Sequence, residues 1–274
     1  MAIDGDDDDV DINPFAMLLP DDQKAEAEAK EAEGEDETRF LAEHEATHQL
    51  QQHHIRSIDS AILIRQLQSE GLSFQLWPAA TTFLALLDRH RSDPNASPLA
   101  PTLSSAAPTS GRLRILELGS GTGLVGIAAA IILGAVVTVT DLPHVLPNLR
   151  FNVESNSKVL AEHGGRVDVA PLRWGETEDM EALGRGYDVI VASDVVYHDH
   201  LYEPLLRTLK FLMLEGEKRM VFVMAHLKRW KKESVFFKRA RKLFDIEVIH
   251  ADGPSNESRI GVVLYRFAAK CNMN

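Results

Sequence analysis

The stretch Arg114–Asp141, RILELGSGTGLVGIAAAIILGAVVTVTD, decides how this chain is read. Ile115 to Leu118 is a short apolar run of strand type, and it enters Gly119-Ser120-Gly121-Thr122-Gly123. A helix is expected over Leu124 to Leu133, Gly134 ends it, and a second strand, Val136 to Thr140, stops at Asp141. Strand, glycine loop, helix, strand and acid in that order make a nucleotide-binding crossover unit. The glycines let the backbone approach a ligand closely, and the helix start offers unpaired N–H groups. A carboxylate at the end of the second strand can accept both hydroxyls of a ribose. The unit therefore predicts a ligand that contains adenosine.

At 274 residues the chain fits one large α/β domain with appendages, and its 45% hydrophobic content is ordinary for a globular protein. Its one cysteine, Cys271, excludes disulfide staples and cysteine-based metal sites and points to a reducing compartment. The acidic N-terminus lacks a signal-peptide pattern. The longest apolar run, Leu124 to Val139, is broken by Gly126, Gly134 and Thr138 and already reads as helix plus strand. A soluble protein of the cytoplasm or nucleus, with no membrane partner, is expected. The net charge of −12 is unevenly spread: residues 1–37 hold 15 acidic and 2 basic side chains, so the remainder sums to about +1. No field of the kind that attracts nucleic acid remains on the folded part.

Residues 1–37 read as an acidic disordered tail, too polar to offset the entropy of ordering, with one apolar island at Pro14–Leu19. His44-Glu45-Ala46-Thr47-His48 matches the H-E-x-x-H zinc signature. It lies in a segment polar on nearly every face, where nothing would bury and orient the histidines, so no metal is expected. Residues 38–91 form a strand and helix lead-in. Two or three short strands, able to pair as a hairpin, are expected within Ile55–Phe74, and a helix opens at Leu76-Trp77-Pro78 with Phe83, Leu84, Leu86 and Leu87 on one face. Residues 92–112, rich in Pro, Ser and Ala, read as a linker without a core pattern.

From 113 to 270 helices and strands alternate. Helices are expected near 145–154, 202–214 and 233–244, and strands near 167–170, 187–192, 220–224, 246–250 and 260–267. The last two strands have no helix between them and should pair antiparallel. The fold class is thus α/β: a Rossmann-like, seven-stranded, mostly parallel sheet with helices on both faces and an antiparallel C-terminal strand.

Gly121-Thr122-Gly123-Leu124-Val125-Gly126 satisfies the dinucleotide fingerprint G-x-G-x-x-G, which alone is weak. In a dinucleotide fold the first glycine directly follows the strand, whereas here Gly119 and Ser120 intervene and Glu117 sits at the strand end. The pattern E-x-G-x-G-x-G suits S-adenosylmethionine, which carries no phosphate and has cationic groups for carboxylates to face. Glu117 would contact the methionine ammonium, directly or through water, or brace the loop.

Four separated motifs occur in order: LWPAA at 76–80, LELGSGTGLVGIAAA at 116–130, LRWGE at 172–176 and SDVVY at 193–197. With them the chain from about Trp77 onward resembles the seven-strand S-adenosylmethionine-dependent methyltransferases, specifically the methyltransferase-like 21 group of protein-lysine methyltransferases. The resemblance implies a cofactor site lined by Trp77, Gly119, Ser120, Gly121, Asp141, Trp174 and Ser193, to which the adjoining Glu117, Gly123 and Leu142 are added. It assigns Asp194 and Tyr197 to a D-x-x-Y motif for lysine-directed catalysis. The residues carry a physical reading of their own. Trp77 at a helix start could close over the methionine end of a cofactor, Trp174 could flank the adenine, and a charged Asp194 at a strand's carboxyl end is hard to explain as packing. Asp194 is expected to attract and orient a substrate ammonium, with Tyr197 walling the slot. His198-Asp199-His200 reads as a solvated loop. The basic run Lys228–Lys242 reads as the outer face of a helix whose apolar side is Phe236, Phe237 and Phe244, although an acidic surface, RNA or the acidic tail could dock there.

The expected function is methyl transfer to a lysine of a protein substrate, by a monomer. Transfer to a small molecule or another protein residue, and a cofactor-binding scaffold without turnover, are the alternatives. A nicotinamide oxidoreductase is disfavoured because no acid/base pair for hydride chemistry is evident.

Overall fold

Strand alternation divides the apolar residues between two faces of one sheet. In the computed structural model, which describes residues 50–109, 111–216, 218, 220–229, 232–252 and 261–270, the strands are β3 (Arg114–Leu118), β4 (Val136–Asp141), β5 (Arg166–Pro171), β6 (Val189–Ser193), β7 (Val221–Leu227), β8 (Phe244–Ala251) and β9 (Val262–Ala269). They lie in the order β5-β4-β3-β6-β7-β9-β8, with β9 antiparallel to both its neighbours and the other pairings parallel. This is the expected seven-stranded sheet with its reversed hairpin. Ile115, Val189, Val191 and Val223 face one core, while Leu116, Leu118, Ile190, Ala192 and Phe222 face the other. Each such side chain, once fully buried, contributes about 1.5–3 kcal/mol.

The first core is covered by α1 (Pro78–Ser92), α2 (Ala100–Ala106), α3 (Leu124–Leu133), α4 (Leu146–Ser155) and α5 (Ser157–Glu162). The second is covered by α6 (Thr177–Leu183), α7 (Tyr202–Leu214) and α8 (Glu233–Ala240). Pro78 opens α1 as expected, and Phe83, Leu84, Leu86 and Leu87 are buried. Residues 92–112 differ from the expectation. Leu99 is buried and Ala100–Ala106 is helical, because Thr102 and Leu103 turn inward against α1 and α3. The helix α8 ends at Ala240, four residues early, and Phe244 starts β8 instead. Among the described residues no helix is long and apolar enough to cross a membrane. The acidic tail, the His44–His48 pattern and Cys271 lie outside the described residues.

Strands β1 (Leu50–Ile55) and β2 (Ser60–Arg65) form a hairpin in a sheet of their own, but only β2 falls within the expected segment Ile55–Phe74, whose remainder forms short 3-10 turns at Gln68–Glu70 and Leu72–Phe74. The hairpin's attachment is not written in any hydrophobic pattern. Asn148, Asn152 and Asn156 repeat every four residues, so they share one face of α4 and its end, and all three are buried. Asn156 accepts from the Leu63 N–H and donates to the Leu63 carbonyl, both at 2.8 Å. Asn152 does the same for Arg65, at 2.8 and 3.1 Å. Residues 63 and 65 are alternate positions of one strand edge, so the asparagine amides replace a neighbouring strand. Asn152 also donates to the Thr122 carbonyl at 2.9 Å, which ties the hairpin to the glycine loop.

Replacing Asn152 with alanine should cost about 1–3 kcal/mol for each backbone group of Arg65 left buried and unpaired. Urea unfolding of the variant measures this, and a loss below about 1 kcal/mol would show that the amide ladder is not what holds the hairpin.

Candidate active site

The sheet changes its winding direction between β3 and β6, since β4 and β5 lie to one side of β3 and β6 and β7 to the other. Loops leaving the carboxyl ends of these strands diverge there and open a crevice. The sequence-expected residues converge on it: Gly119 to Gly123 after β3, Asp141 and Leu142 after β4, Trp174 after β5, and Ser193, Asp194 and Tyr197 after β6.

The glycine loop is built from both sides. Ser120 N–H donates to the Thr140 carbonyl at 2.9 Å, and Ser120 Oγ accepts from the Thr140 N–H at 3.0 Å, so the loop continues the β3–β4 pairing. Gly119, Gly121 and Gly123 have φ of 60°, 55° and 85°, conformations that side chains disfavour. Their α-carbons also face protein. A Cβ on Gly119 would lie 2.9 Å from the Trp174 ring, on Gly121 3.0 Å from the Ser73 carbonyl oxygen, and on Gly123 2.5 Å from Leu149. The glycines therefore also serve backbone turning and packing, beside the ligand approach expected of them.

Glu117 points beneath this loop. Its Oε2 accepts from the Gly126 N–H at the start of α3, at 3.0 Å, while Oε1 is buried without a partner. Burial pushes its carboxyl up to about 8, so it is protonated at neutral pH. It braces the loop, the second of the two roles expected for it.

Asp141 is 7% exposed and accepts one backbone N–H on each oxygen, from Gly121 at 2.8 Å and from Leu142 at 2.7 Å. A carboxylate has about four acceptor sites, so capacity remains for two hydroxyl donors. Beside it Leu142 is 42% exposed, an apolar side chain turned outward at the crevice edge. Across the crevice Tyr197 is partly buried. Burial and, secondarily, the Asp141 charge hold its phenol above the usual range, so it stays protonated. Trp77 donates its indole N–H to the Leu72 carbonyl at 3.0 Å. Ser193 ends β6 half-buried.

Asp194 departs from expectation. Its side chain is 1% exposed and both oxygens are engaged. Oδ1 accepts from the Leu227 N–H at 2.9 Å, and the Arg229 guanidinium spans Oδ1 and Oδ2 at 3.3 and 3.1 Å. The carboxylate expected to meet a substrate ammonium already holds a cation of its own chain. Its backbone is left-handed, φ 52°, a region that Asp tolerates better than most residues.

Arg229, His226 and Glu233 were missed. The first fell within a basic run read as solvated. Lys228, Lys232, Lys238, Arg239, Arg241 and Lys242 of that run are exposed, but the Arg229 side chain is not. No spacing distinguished it. His226 and Glu233 are fully buried and joined at 3.0 Å, and Glu233 also accepts from the Arg229 N–H at 3.2 Å. His198 and His200 stack at 5.3 Å on an exposed loop, and no metal-binding cluster occurs among the described residues.

A family profile described as lysine methyltransferase matches residues 57–243, well over half of the chain. The chain belongs to the lysine methyltransferase family. S-adenosylmethionine is accordingly its cofactor, and the donor set fits: Asp141 has acceptor capacity for ribose hydroxyls, and no anion-binding turn is required. Relatives include protein N-lysine methyltransferase METTL21A of Danio rerio, 38% identical over 139 residues, covering 51% of this chain and 61% of that protein. Protein-lysine methyltransferase METTL21E of Mus musculus is 32% identical over 197 residues, covering 71% and 70%. EEF1A lysine methyltransferase 3 of Mus musculus is 31% identical over 153 residues, covering 56% and 60%. The chain spans about half to three fifths of the length of most of these curated relatives.

Two measurements test the buried carboxyls. Because the folded-state value of Glu117 is raised, the native state holds one extra proton between about pH 4.5 and 8. Its contribution to stability is complete below that window and declines through it by up to about 1.4 kcal/mol per pH unit. Glu117→Gln should flatten this decline in urea unfolding at pH 5 to 8, and identical slopes would refute the assignment. At the β6 end, Asp194→Ala should lose about 3–5 kcal/mol by stranding a buried guanidinium. Asp194→Asn should lose clearly less, because its amide oxygen still accepts from Leu227 and asparagine tolerates the left-handed backbone. Equal losses would show that the pairing is not what matters.

Proposed function

We propose that this chain is an S-adenosylmethionine-dependent protein-lysine N-methyltransferase that acts on a lysine side-chain amine of a protein substrate. The observation that carries the reading is the placement of the 194–197 motif at the carboxyl end of β6, the strand next to β3 at the switch point, in a chain of this family.

The residues divide into two groups. Asp141 would hold the ribose, Leu142 and Trp174 the adenine, and the loop Gly119–Gly123 with Ser120 and the Glu117 brace would fix the floor. Trp77, Ser193 and Tyr197 would enclose the end where the reaction occurs. When bound, the cofactor supplies a methyl group on a cationic sulfur, an electrophile toward a neutral nitrogen.

The chain's task is then to deliver a neutral amine at about 3–3.5 Å in line with that methyl. A free lysine has a pKa of about 10.4, so its deprotonation at pH 7 costs about 4.6 kcal/mol. A slot walled by Trp77 and Tyr197 lowers the cost by penalising the ammonium relative to the amine. Tyr197 stays protonated and offers a hydroxyl without adding charge. The proton passes to water before transfer. The single cysteine supports a reducing, cytoplasmic or nuclear setting, and a monomer suffices because every group invoked comes from one chain.

Incubation with radiolabelled S-adenosylmethionine and a heat-treated cell lysate should label protein, and hydrolysis should recover methyl-lysine. Label on another residue or on small molecules would replace the substrate class, and cofactor binding without any label would support a silent scaffold. In the same assay Asp141→Ala should weaken cofactor binding by about 10–100-fold by calorimetry, from the loss of charged hydrogen bonds worth about 1.5–3 kcal/mol.

A further inference from the structure

The pair Asp194–Arg229 poses a problem for any lysine-directed site. A free carboxylate beside a lysine ammonium stabilises the charge and opposes the deprotonation that methyl transfer needs. Here the carboxylate is not free. Arg229 is fixed at three points: its guanidinium spans both Asp194 oxygens, its backbone N–H meets both Glu233 oxygens at 3.2 Å, and its guanidinium carbon stands 4.9 Å over the Trp77 ring. The side chain is 6% exposed. A substrate lysine could reach Asp194 only by breaking a buried bidentate pair, and a lysine ammonium cannot reproduce the two-pronged contact of a guanidinium.

We infer that Arg229 is a positioning residue that selects the charge state of the methyl acceptor: clamped by Asp194 against Trp77, it cancels the motif carboxylate and leaves the reacting end of the crevice without net negative charge, so that the site takes a lysine side chain as its neutral amine. The inference rests on the lysine-methyltransferase reading above and changes the part played by Asp194, which acts through Arg229 and does not bind the substrate ammonium. With the carboxylate neutralised by its own arginine, this end of the crevice no longer stabilises the ammonium, and partial burial there favours the neutral amine.

The groups around the pair agree. From β7, His226 Nδ1 lies 3.8 Å from Asp194 Oδ1 and has no hydrogen-bond partner. From α8, Glu233 is 1% exposed and is taken up by His226 and by the Arg229 N–H, so its charge does not face the crevice. From the segment after β6, Tyr197 is held in its neutral form, and from the N-terminal side Trp77 brings an aromatic face. Asp141, at the end of β4, is the remaining carboxylate of the crevice, and it is engaged by Gly121 and Leu142 at the ribose end.

The test uses n-butylamine as a lysine side-chain probe, titrated into the full chain by ligand-observed NMR with S-adenosylhomocysteine present. The neutral fraction of such an amine rises about tenfold per pH unit well below its pKa near 10.4. Wild-type affinity should follow that rise between pH 7.5 and 9.5. In Arg229→Gln the uncovered carboxylate should retain the ammonium and reduce the rise to less than about threefold per unit. Arg229→Lys, which keeps the charge, and the neutral pair Asp194→Asn/Arg229→Gln should both track the wild type, with thermal unfolding used to verify that each variant folds. Tighter binding at pH 7.5 than at 9.5 by the wild type, no binding at either pH, or a wild-type slope in Arg229→Gln would each overturn the inference.

Methyl incorporation into lysate protein gives the second reading. Arg229→Gln should lose at least about fivefold at pH 7.5 and recover most of it at pH 9.5. A loss equal at all pH values would mark Arg229 as merely structural, and a gain at pH 7.5 would mark it as a plug that substrate must displace. Absence of methyl-lysine from the wild type would instead count against the enzymatic reading, whatever the amine titration shows.

Discussion

Everything at the site follows from one topological constraint, the change of winding direction between β3 and β6. Parallel strands joined by right-handed crossovers must place their helices on opposite faces when the order reverses, so the loops after the two central strands part instead of covering one another. The crevice left between them receives Asp141 from one half and Tyr197 from the other. Neither half would make a site alone, because one carries the groups suited to adenosine and the other those suited to an amine.

Within that crevice the chain shapes itself mostly by contact with its own parts. The glycine loop turns through three left-handed positions, and the space beside each is filled by Trp174, Ser73 or Leu149. Asn152 holds the Thr122 carbonyl and the edge of β2 together. A segment from the N-terminal lead-in is thereby drawn against the loop, so the cofactor floor is rigid before any ligand arrives. Preorganisation of this kind spares the ligand the entropy of ordering the loop. The buried carboxyls divide in the same spirit: Glu117 becomes neutral, Asp194 is paired, and Asp141, which burial also pushes upward, accepts two backbone N–H groups with spare acceptor capacity.

How much was legible depends on how far apart the cooperating residues lie. The strand–glycine loop–helix–strand unit, the helix at Pro78 and the reversed C-terminal strand rest on local patterns, and all formed, whereas of the strands expected within Ile55–Phe74 only Ser60–Arg65 did, paired with the earlier Leu50–Ile55. The helix Ala100–Ala106 escaped notice because its sequence, with Pro101 and three hydroxyl residues, carries no periodicity; tertiary burial of Leu99 and Thr102 made it helical. The asparagine stripe at 148, 152 and 156 was visible as spacing but meaningless without the β2 edge it satisfies. Arg229 was visible only as one of several basic residues in a run.

By itself the sequence determined the class of fold, the cofactor type and the three carboxylates worth attention, because these are encoded in local order: periodicity, glycine placement and an acid at a strand end. The tertiary structure alone decided what each carboxylate does. Charge state and access are set by burial and by partners 9 to 35 residues distant, Gly126 for Glu117 and Arg229 for Asp194. A carboxylate in isolation is the same chemical group at all three positions, and only its surroundings make it a neutral acceptor beneath a loop, a group with open acceptor sites or the anchor of a guanidinium.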